Sequence, residues 1–186
     1  RMPEEVNRIL IDELSNILFP PTNIDVANLK NEKLINKRIY KVGNTISDVI
    51  KAYLPKIKRN KILKKLNLNK KKYFLVTVHR PESVDNIINF KKLLNSFEKI
   101  GKIFSTKFIF SVHPRTQKIL NKISSKKFKF ISLLKPLEYL DFMKLMLDSR
   151  IIFTDSGGLQ EEASIIGVPC ITLRTTSERQ ITIIKK

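Results

Sequence analysis

Ile151-Ile152-Phe153-Thr154-Asp155-Ser156-Gly157-Gly158-Leu159-Gln160-Glu161-Glu162 reads as a strand, a turn and the opening of a helix. An unbroken apolar run is what a strand buried on both faces requires. Ser156 and Asp155 are capping residue types, and residues 159–166 return to helical spacing. Working outward, the same grammar recurs. Residues 74–78 and 108–112 are apolar strand-like runs, residues 128–134 form another, and residues 170–173 follow Gly167 and Pro169 as a last one. Helical patterns fall between them, at residues 87–100 and 137–147. Strands that alternate with helices predict an α/β fold, a Rossmann-like parallel sheet with helices on both faces.

Upstream the pattern is looser. Residues 4–18 carry an apolar helical stripe opened by Pro3 and stopped before Pro20-Pro21. Residues 39–42 read as a short strand ended by Gly43-Asn44-Thr45, and a helix resumes at Ile46. Residues 22–38 and 54–72 read as surface connections, the second very basic.

The 186 residues carry 36 Lys plus Arg against 17 Asp plus Glu, a net charge of +19. The cations are mostly Lys spread along the chain and Trp is absent, so no stacking platform for nucleic acid is expected, and the charge by itself singles out no ligand. The single cysteine, Cys170, excludes a disulfide framework and a cysteine-based zinc site and fits a cytoplasmic location. No apolar stretch approaches the roughly 20 residues of a membrane span, and no signal-peptide pattern opens the chain. Because the first residue is Arg, a piece of a longer protein is expected.

In an open parallel sheet ligands bind outside the carboxyl ends of the strands. The two histidines fall there, His79 in Thr77-Val78-His79-Arg80-Pro81-Glu82 and His113 in Ser111-Val112-His113-Pro114-Arg115. A single strand-end histidine is commonly structural; two in equivalent positions, each with an Arg close behind, point to a site. At the third strand end, Ser156, Gly157 and Gly158 let a ligand approach backbone N–H groups at a helix N-terminus, a natural phosphate site. Glu162, one helical turn on, is within reach of a ribose diol. Arg174 and Arg179 add cations after the last strand. Tyr139 and Phe142 fall three apart on a helix, a spacing that points first to core packing and to base stacking only where a nucleotide is otherwise supported.

Six segments taken together resemble the non-hydrolysing UDP-N-acetylglucosamine 2-epimerase family: residues 1–8, Val42-Gly43-Asn44-Thr45, the His79 segment, residues 136–142, residues 154–163 and residues 174–179. They stand in the family's order with similar spacing. The combination of the His79 and His113 segments also hints at the branch acting on UDP-2,3-diacetamido-glucuronic acid.

The resemblance implies an incomplete two-domain glycosyltransferase-B-type architecture, with residues 1–42 the tail of an N-terminal Rossmann-like half and 43–186 most of the C-terminal, UDP-binding half. It implies inversion at C2 of a UDP-2-acetamido sugar by elimination and re-addition of UDP, with no cofactor and no metal, in a full-length homodimer without nucleic-acid or membrane partners. By motif match Glu4 and His79 are the catalytic positions. Ser156, Gly157 and Gly158 bind phosphate, Glu162 the ribose, Arg179 the pyrophosphate or uridine, and Phe142 the uracil. Arg80 and His113 match a second, activating nucleotide site of some bacterial members. Pro81, where a second Arg is common, and Gln180, where Pro is frequent, depart from the family pattern without removing a reacting group. Further catalytic Asp and Glu residues belong to the family's upstream part, so the chain alone is expected to be inactive. The alternatives are a hydrolysing UDP-sugar 2-epimerase, a glycosyltransferase of the same architecture, and a noncatalytic UDP-binding relic.

Overall fold

The computed structural model describes residues 3–34, 36–123 and 128–174. In chain order the elements are α1 (Pro3–Leu14), β1 (Ile17–Leu18), α2 (Asn23–Asn31), β2 (Arg38–Ile39), α3 (Ile46–Arg59), α4 (Ile62–Lys65), β3 (Tyr73–Thr77), α5 (Pro81–Val84), α6 (Ile87–Phe104), β4 (Lys107–Ser111), α7 (Pro114–Lys122), β5 (Ile131–Leu134), α8 (Tyr139–Asp148), β6 (Ile151–Thr154), α9 (Gly157–Ile166) and β7 (Cys170–Thr172). They form two compact units, Arg1–Val49 and Ile50–Lys186, with the boundary inside α3.

In the first unit β1 pairs with β2 in parallel, and Leu18, Leu29 and Leu34 form a small core with Ile39 against it. Two expectations are corrected here. The helix from residue 4 stops at Leu14, and Ile17–Leu18 is a strand. Residues 22–38 are more than a connection, because α2 lies within them. Its capping box has Thr22 Oγ1 accepting from the Asp25 N–H and the Asp25 carboxylate accepting from the Thr22 N–H, and this Thr-x-x-Asp signal was legible in the sequence.

The second unit holds a five-stranded, all-parallel sheet in the order β5-β4-β3-β6-β7. This is the α/β class expected. The chain runs outward from β3 through β4 to β5, then returns to lay β6 on the other side of β3. The strand order therefore reverses between β3 and β6, and that is the sheet's switch point.

Every residue of β3 is buried, as a central strand covered on both faces must be. Phe74 and Val76 face one layer, where Phe90, Leu94 and Phe97 of α6 close the core. Phe74, Phe97, Phe108 and Phe153 pack ring against ring, with centroids 4.8 to 5.8 Å apart. Tyr73 is tied to α8, its hydroxyl donating to the Leu145 carbonyl at 2.7 Å. Lys71 Nζ donates to the carbonyls of Leu147 and Ser149 near the end of that helix, a favourable place for a cation. The amino ends of the strands are locked, and the carboxyl ends carry the loops of interest.

One glycine belongs to this core. A Cβ on Gly101 of α6 would stand 2.5 Å from Phe130 Cβ and 3.0 Å from the Thr106 carbonyl oxygen. Gly→Ala inside a helix normally stabilises by about 1 kcal/mol. Here overpacking costs of about 1–3 kcal/mol oppose it. Gly101→Ala is expected to lower the unfolding free energy in urea titration; a gain in stability would show that Phe130 moves aside at no cost.

Candidate functional site

β3 and β6 are neighbours, so the loops leaving their carboxyl ends stand side by side at the switch point. The first carries His79 and Arg80, the second Asp155, Ser156, Gly157 and Gly158. Asp155 joins them. Its side chain is fully buried, and its carboxylate accepts from the His79 N–H at 3.0 and 3.2 Å and from the Arg80 N–H at 2.8 Å. His79 Nδ1 lies 3.2 Å from Asp155 Oδ1.

Burial alone would raise the Asp155 pKa. The hydrogen bonds from the His79 ring, the Arg80 N–H, the Ser83 side chain and the His79 N–H outweigh it, and the net shift is downward. The carboxylate is thus held ionised. Reading Asp155 as a cap for the following helix is corrected: it turns back toward the β3 loop, and Ser156 alone is the N-cap of α9, its Oγ accepting from the Leu159 N–H.

Ser156 also donates its N–H to Thr154 Oγ1 at 3.0 Å, which ties the turn to the end of β6. Helix geometry leaves the N–H groups of the first turn of α9 without intrahelical acceptors. Gly157 is buried and Gly158 exposed. A Cβ built on Gly158 would meet only Ser156 Oγ, at 4.0 Å. The fold itself does not require glycine at 158, so a side chain there would occupy open space in front of the turn.

His113 comes from the end of β4. It is the N-cap of α7, its Nδ1 accepting from the Arg115 N–H at 3.2 Å, and its ring lies 5.2 Å from the His79 ring at an interplanar angle of 41°. Arg115 pairs with Asp85 at 2.7 Å. The buried Thr116 hydroxyl donates to the Val78 carbonyl. Three strand ends therefore converge on His79.

Glu162 sits on α9 beside Tyr139 at the start of α8, and the Tyr139 hydroxyl hydrogen-bonds its carboxylate. Burial pushes the Glu162 pKa up, against the Tyr139 hydrogen bond, and neighbouring Glu161 adds to the rise. Tyr139 is 40% exposed and Phe142 half-buried, so neither is a core residue and both stay accessible near the carboxyl edge. A cleft of about 370 Å³ opens beside the β3 loop, lined by Arg80, Ser83, Asn89, Leu93 and Arg174 among others.

The expected site residues thus divide. His79, Arg80, His113, Ser156, Gly157 and Gly158 come together on one edge of the sheet, with Glu162 and Phe142 on the adjoining helices α9 and α8. Glu4 lies in the first turn of α1, in the other unit. Its neighbour Glu5 is committed to Arg8, whose guanidinium also pairs with Asp12 and Glu32. Arg179 falls outside the described residues. Asp155 and Tyr139 were missed as site residues. Pairing across 76 residues gives no local signal for the first, whereas the Tyr139 segment was visible but its spacing pointed first to core packing, which its exposure corrects.

Among the described residues no group of three or more His, Cys, Asp or Glu side chains is placed to hold a metal ion, and no helix is long and apolar enough to cross a membrane.

Asp155→Asn is expected to lower the unfolding free energy at neutral pH by about 1–3 kcal/mol, the range for leaving buried donors poorly satisfied. A carboxylate whose folded pKa lies below its ordinary 3.8 stabilises above that value and loses the contribution as pH falls through the folded pKa. The gap between parent and variant in urea denaturation should therefore narrow below about pH 4. A gap independent of pH would show that the ionised form is not what holds the loops.

The profile of the UDP-N-acetylglucosamine 2-epimerase family matches residues 1–186. The chain is 41% identical over 193 residues to the UDP-N-acetylglucosamine 2-epimerase of Methanococcus maripaludis, covering 98% of this chain and 52% of that one. It is 33% identical over 181 residues to the UDP-2,3-diacetamido-2,3-dideoxy-D-glucuronate 2-epimerase of Pseudomonas aeruginosa, covering 96% and 49%. The crystal structure of Methanocaldococcus jannaschii UDP-GlcNAc 2-epimerase in complex with UDP-GlcNAc and UDP superimposes with a TM-score of 0.87 at 42% identity, over 98% of this chain and 52% of that one. The chain spans about half the length of the curated relatives it matches. With its sequence matched from end to end and its sheet superimposing on that of a nucleotide-sugar enzyme, the chain belongs to the UDP-N-acetylglucosamine 2-epimerase family.

Proposed function

We propose that the switch-point crevice binds the uridine diphosphate of a UDP-2-acetamido sugar, and that the whole protein inverts C2 of that sugar. The observation that carries the reading is the contact of His79 with Asp155, which joins an imidazole to the residue preceding the Ser156-Gly157-Gly158 turn. The diphosphate would accept from the first-turn N–H groups of α9, where the helix dipole favours an anion. Glu162, steadied by Tyr139, would take the ribose hydroxyls, Phe142 the uracil face, and Arg179 the pyrophosphate.

The chemistry is redox-neutral. A base removes the C2 proton, the C1–O bond to UDP breaks with its electron pair leaving on the phosphate oxygen, and C1=C2 forms. UDP then re-adds at C1 while C2 is protonated on the opposite face. An uphill proton removal beside a departing dianion needs a carboxylate and a donor at the diphosphate. Glu4 is assigned the first role and His79 the second. Further groups of the relatives' remaining length are needed, so the 186-residue chain alone is expected to show no turnover.

Arg80 and His113 are proposed for a second, regulatory nucleotide; Arg80 lines the cleft beside the crevice, and His113 stands against the His79 ring. The resemblance further suggests a homodimeric whole protein. The lone Cys170 and a nucleotide-sugar substrate fit a cytoplasmic place of action.

Gly158→Ala separates fold from function. Its Cβ meets nothing closer than 4.0 Å, so stability should stay within about 1 kcal/mol of the parent or rise slightly. UDP affinity by calorimetry should fall by about tenfold or more, ~1.4 kcal/mol. Unchanged affinity would remove the phosphate from this turn.

The activity has its own test. Incubating the chain with UDP-N-acetylglucosamine and following the anomeric proton signals should show neither the C2 epimer nor free sugar. Epimer would overturn the need for further groups, and free sugar would move the protein to the hydrolysing class.

A further inference from the structure

We infer that Asp155 is a positioning residue for His79, holding its imidazole as the Nδ1–H tautomer so that Nε2 is the nitrogen offered to whatever occupies the crevice. For its bearing on turnover the inference rests on the nucleotide reading; the tautomer itself does not.

A carboxylate in its ionised form has only acceptors to offer. Asp155 is fully buried, and both of its oxygens accept N–H groups from the β3 loop. His79 Nδ1 stands 3.2 Å from Oδ1, so in the neutral ring the proton belongs on Nδ1. Among the described residues Nε2 has no protein partner. One carboxylate thus sets both the backbone of His79 and its ring, which is more than a buried ion pair needs in order to be stable.

The rest of the surroundings reinforce the arrangement. The His113 ring lies against His79 at 5.2 Å, and Thr116 of α7 ties to the carbonyl of Val78, the residue before His79. His113 has the reverse polarity, because its Nδ1 accepts the Arg115 N–H and its proton therefore sits on Nε2. The fold assigns opposite tautomers to two neighbouring histidines.

The consequence for chemistry follows from charge. Neutral His79 presents a lone pair at Nε2. Once protonated, it donates from that nitrogen to an oxygen of the departing diphosphate, while the carboxylate behind it stabilises the imidazolium, the role an Asp plays behind His in a Ser-His-Asp triad. With the other tautomer, Nε2 carries the only proton of the neutral ring and Nδ1 is left without one facing a carboxylate.

The test uses the ¹⁵N-labelled chain without nucleotide, at about pH 8.5, some two units above an ordinary imidazole pKa. With only two histidines, a two-bond ¹H–¹⁵N correlation spectrum contains two imidazole patterns, assigned with His113→Gln. His79 should show Nδ1 in the protonated, upfield range and Nε2 downfield, and His113 the reverse. A His79 pattern with the proton on Nε2, or averaged between tautomers, overturns the inference, and this measurement needs no variant at position 155.

In Asp155→Asn the His79 pattern should lose its single-tautomer form while that of His113 holds. Retention of the Nδ1–H pattern there also overturns it. UDP titration of the same samples separates the two readings. The expected tautomers without UDP binding sink only the nucleotide assignment, and UDP binding with the wrong tautomer sinks only the positioning role.

Discussion

Asp155 sits where two loops from adjacent parallel strands would otherwise diverge. Where the order of strand addition reverses between two parallel neighbours, the loops after β3 and β6 leave toward opposite faces, and the crevice between them has no continuous backbone to define its width. A buried carboxylate that accepts N–H groups from the opposite loop supplies that link. Buried backbone donors must find partners, and here the partner is one charged group with enough lone pairs for all of them. The same constraint sets the distance between the imidazole and the Ser156-Gly157-Gly158 turn, so the site's geometry and its stability are parts of one interaction.

The two ends of the sheet divide the work. At the amino ends Tyr73 and Lys71 bind the carbonyls at the end of α8, and Asp148 is buried with Lys144 at 2.9 Å and Lys70 at 3.2 Å. Between the ends, the phenylalanine cluster fills the space under α6 with rings in stacked, tilted and edge contacts, which carry large apolar area with defined geometry. The carboxyl ends keep small and polar residues because loops held by a rigid scaffold can carry chemistry without disturbing a core. Glycine shows both uses: Gly101 is glycine because Phe130 leaves no room, and Gly158 is glycine although the protein around it leaves room.

The charge of the molecule fits this picture without dominating it. A net +19 acts on encounter and solubility more than on fold. What matters at the crevice is local: backbone N–H groups at a helix start, arginines on the cleft wall, and an imidazole backed by a carboxylate. The carboxylates are themselves divided by environment. Asp155 is drawn down by its donors and stays charged, whereas burial raises Glu162 and a tyrosine hydroxyl steadies it.

The amino-acid sequence by itself determined the α/β class, every strand of the main sheet, and the placement of both histidines and the Ser-Gly-Gly turn at strand ends. These are local matters, written in runs of apolar residues a few positions long and in capping residues beside them. It carried the end of α1 four residues too far along, to Leu18 where the helix stops at Leu14, because Ile17 and Leu18 continue a helical spacing while pairing with β2, and it passed over the capping box of α2. The tertiary structure alone decided that β3 lies beside β6. Their pairing joins residues more than 70 apart, with Phe74 opposite Ile151, and no periodicity within either strand encodes the neighbour it will choose. From that choice follow the location of the crevice and the turn of Asp155 away from its own helix, toward a loop that the chain had formed 75 residues earlier.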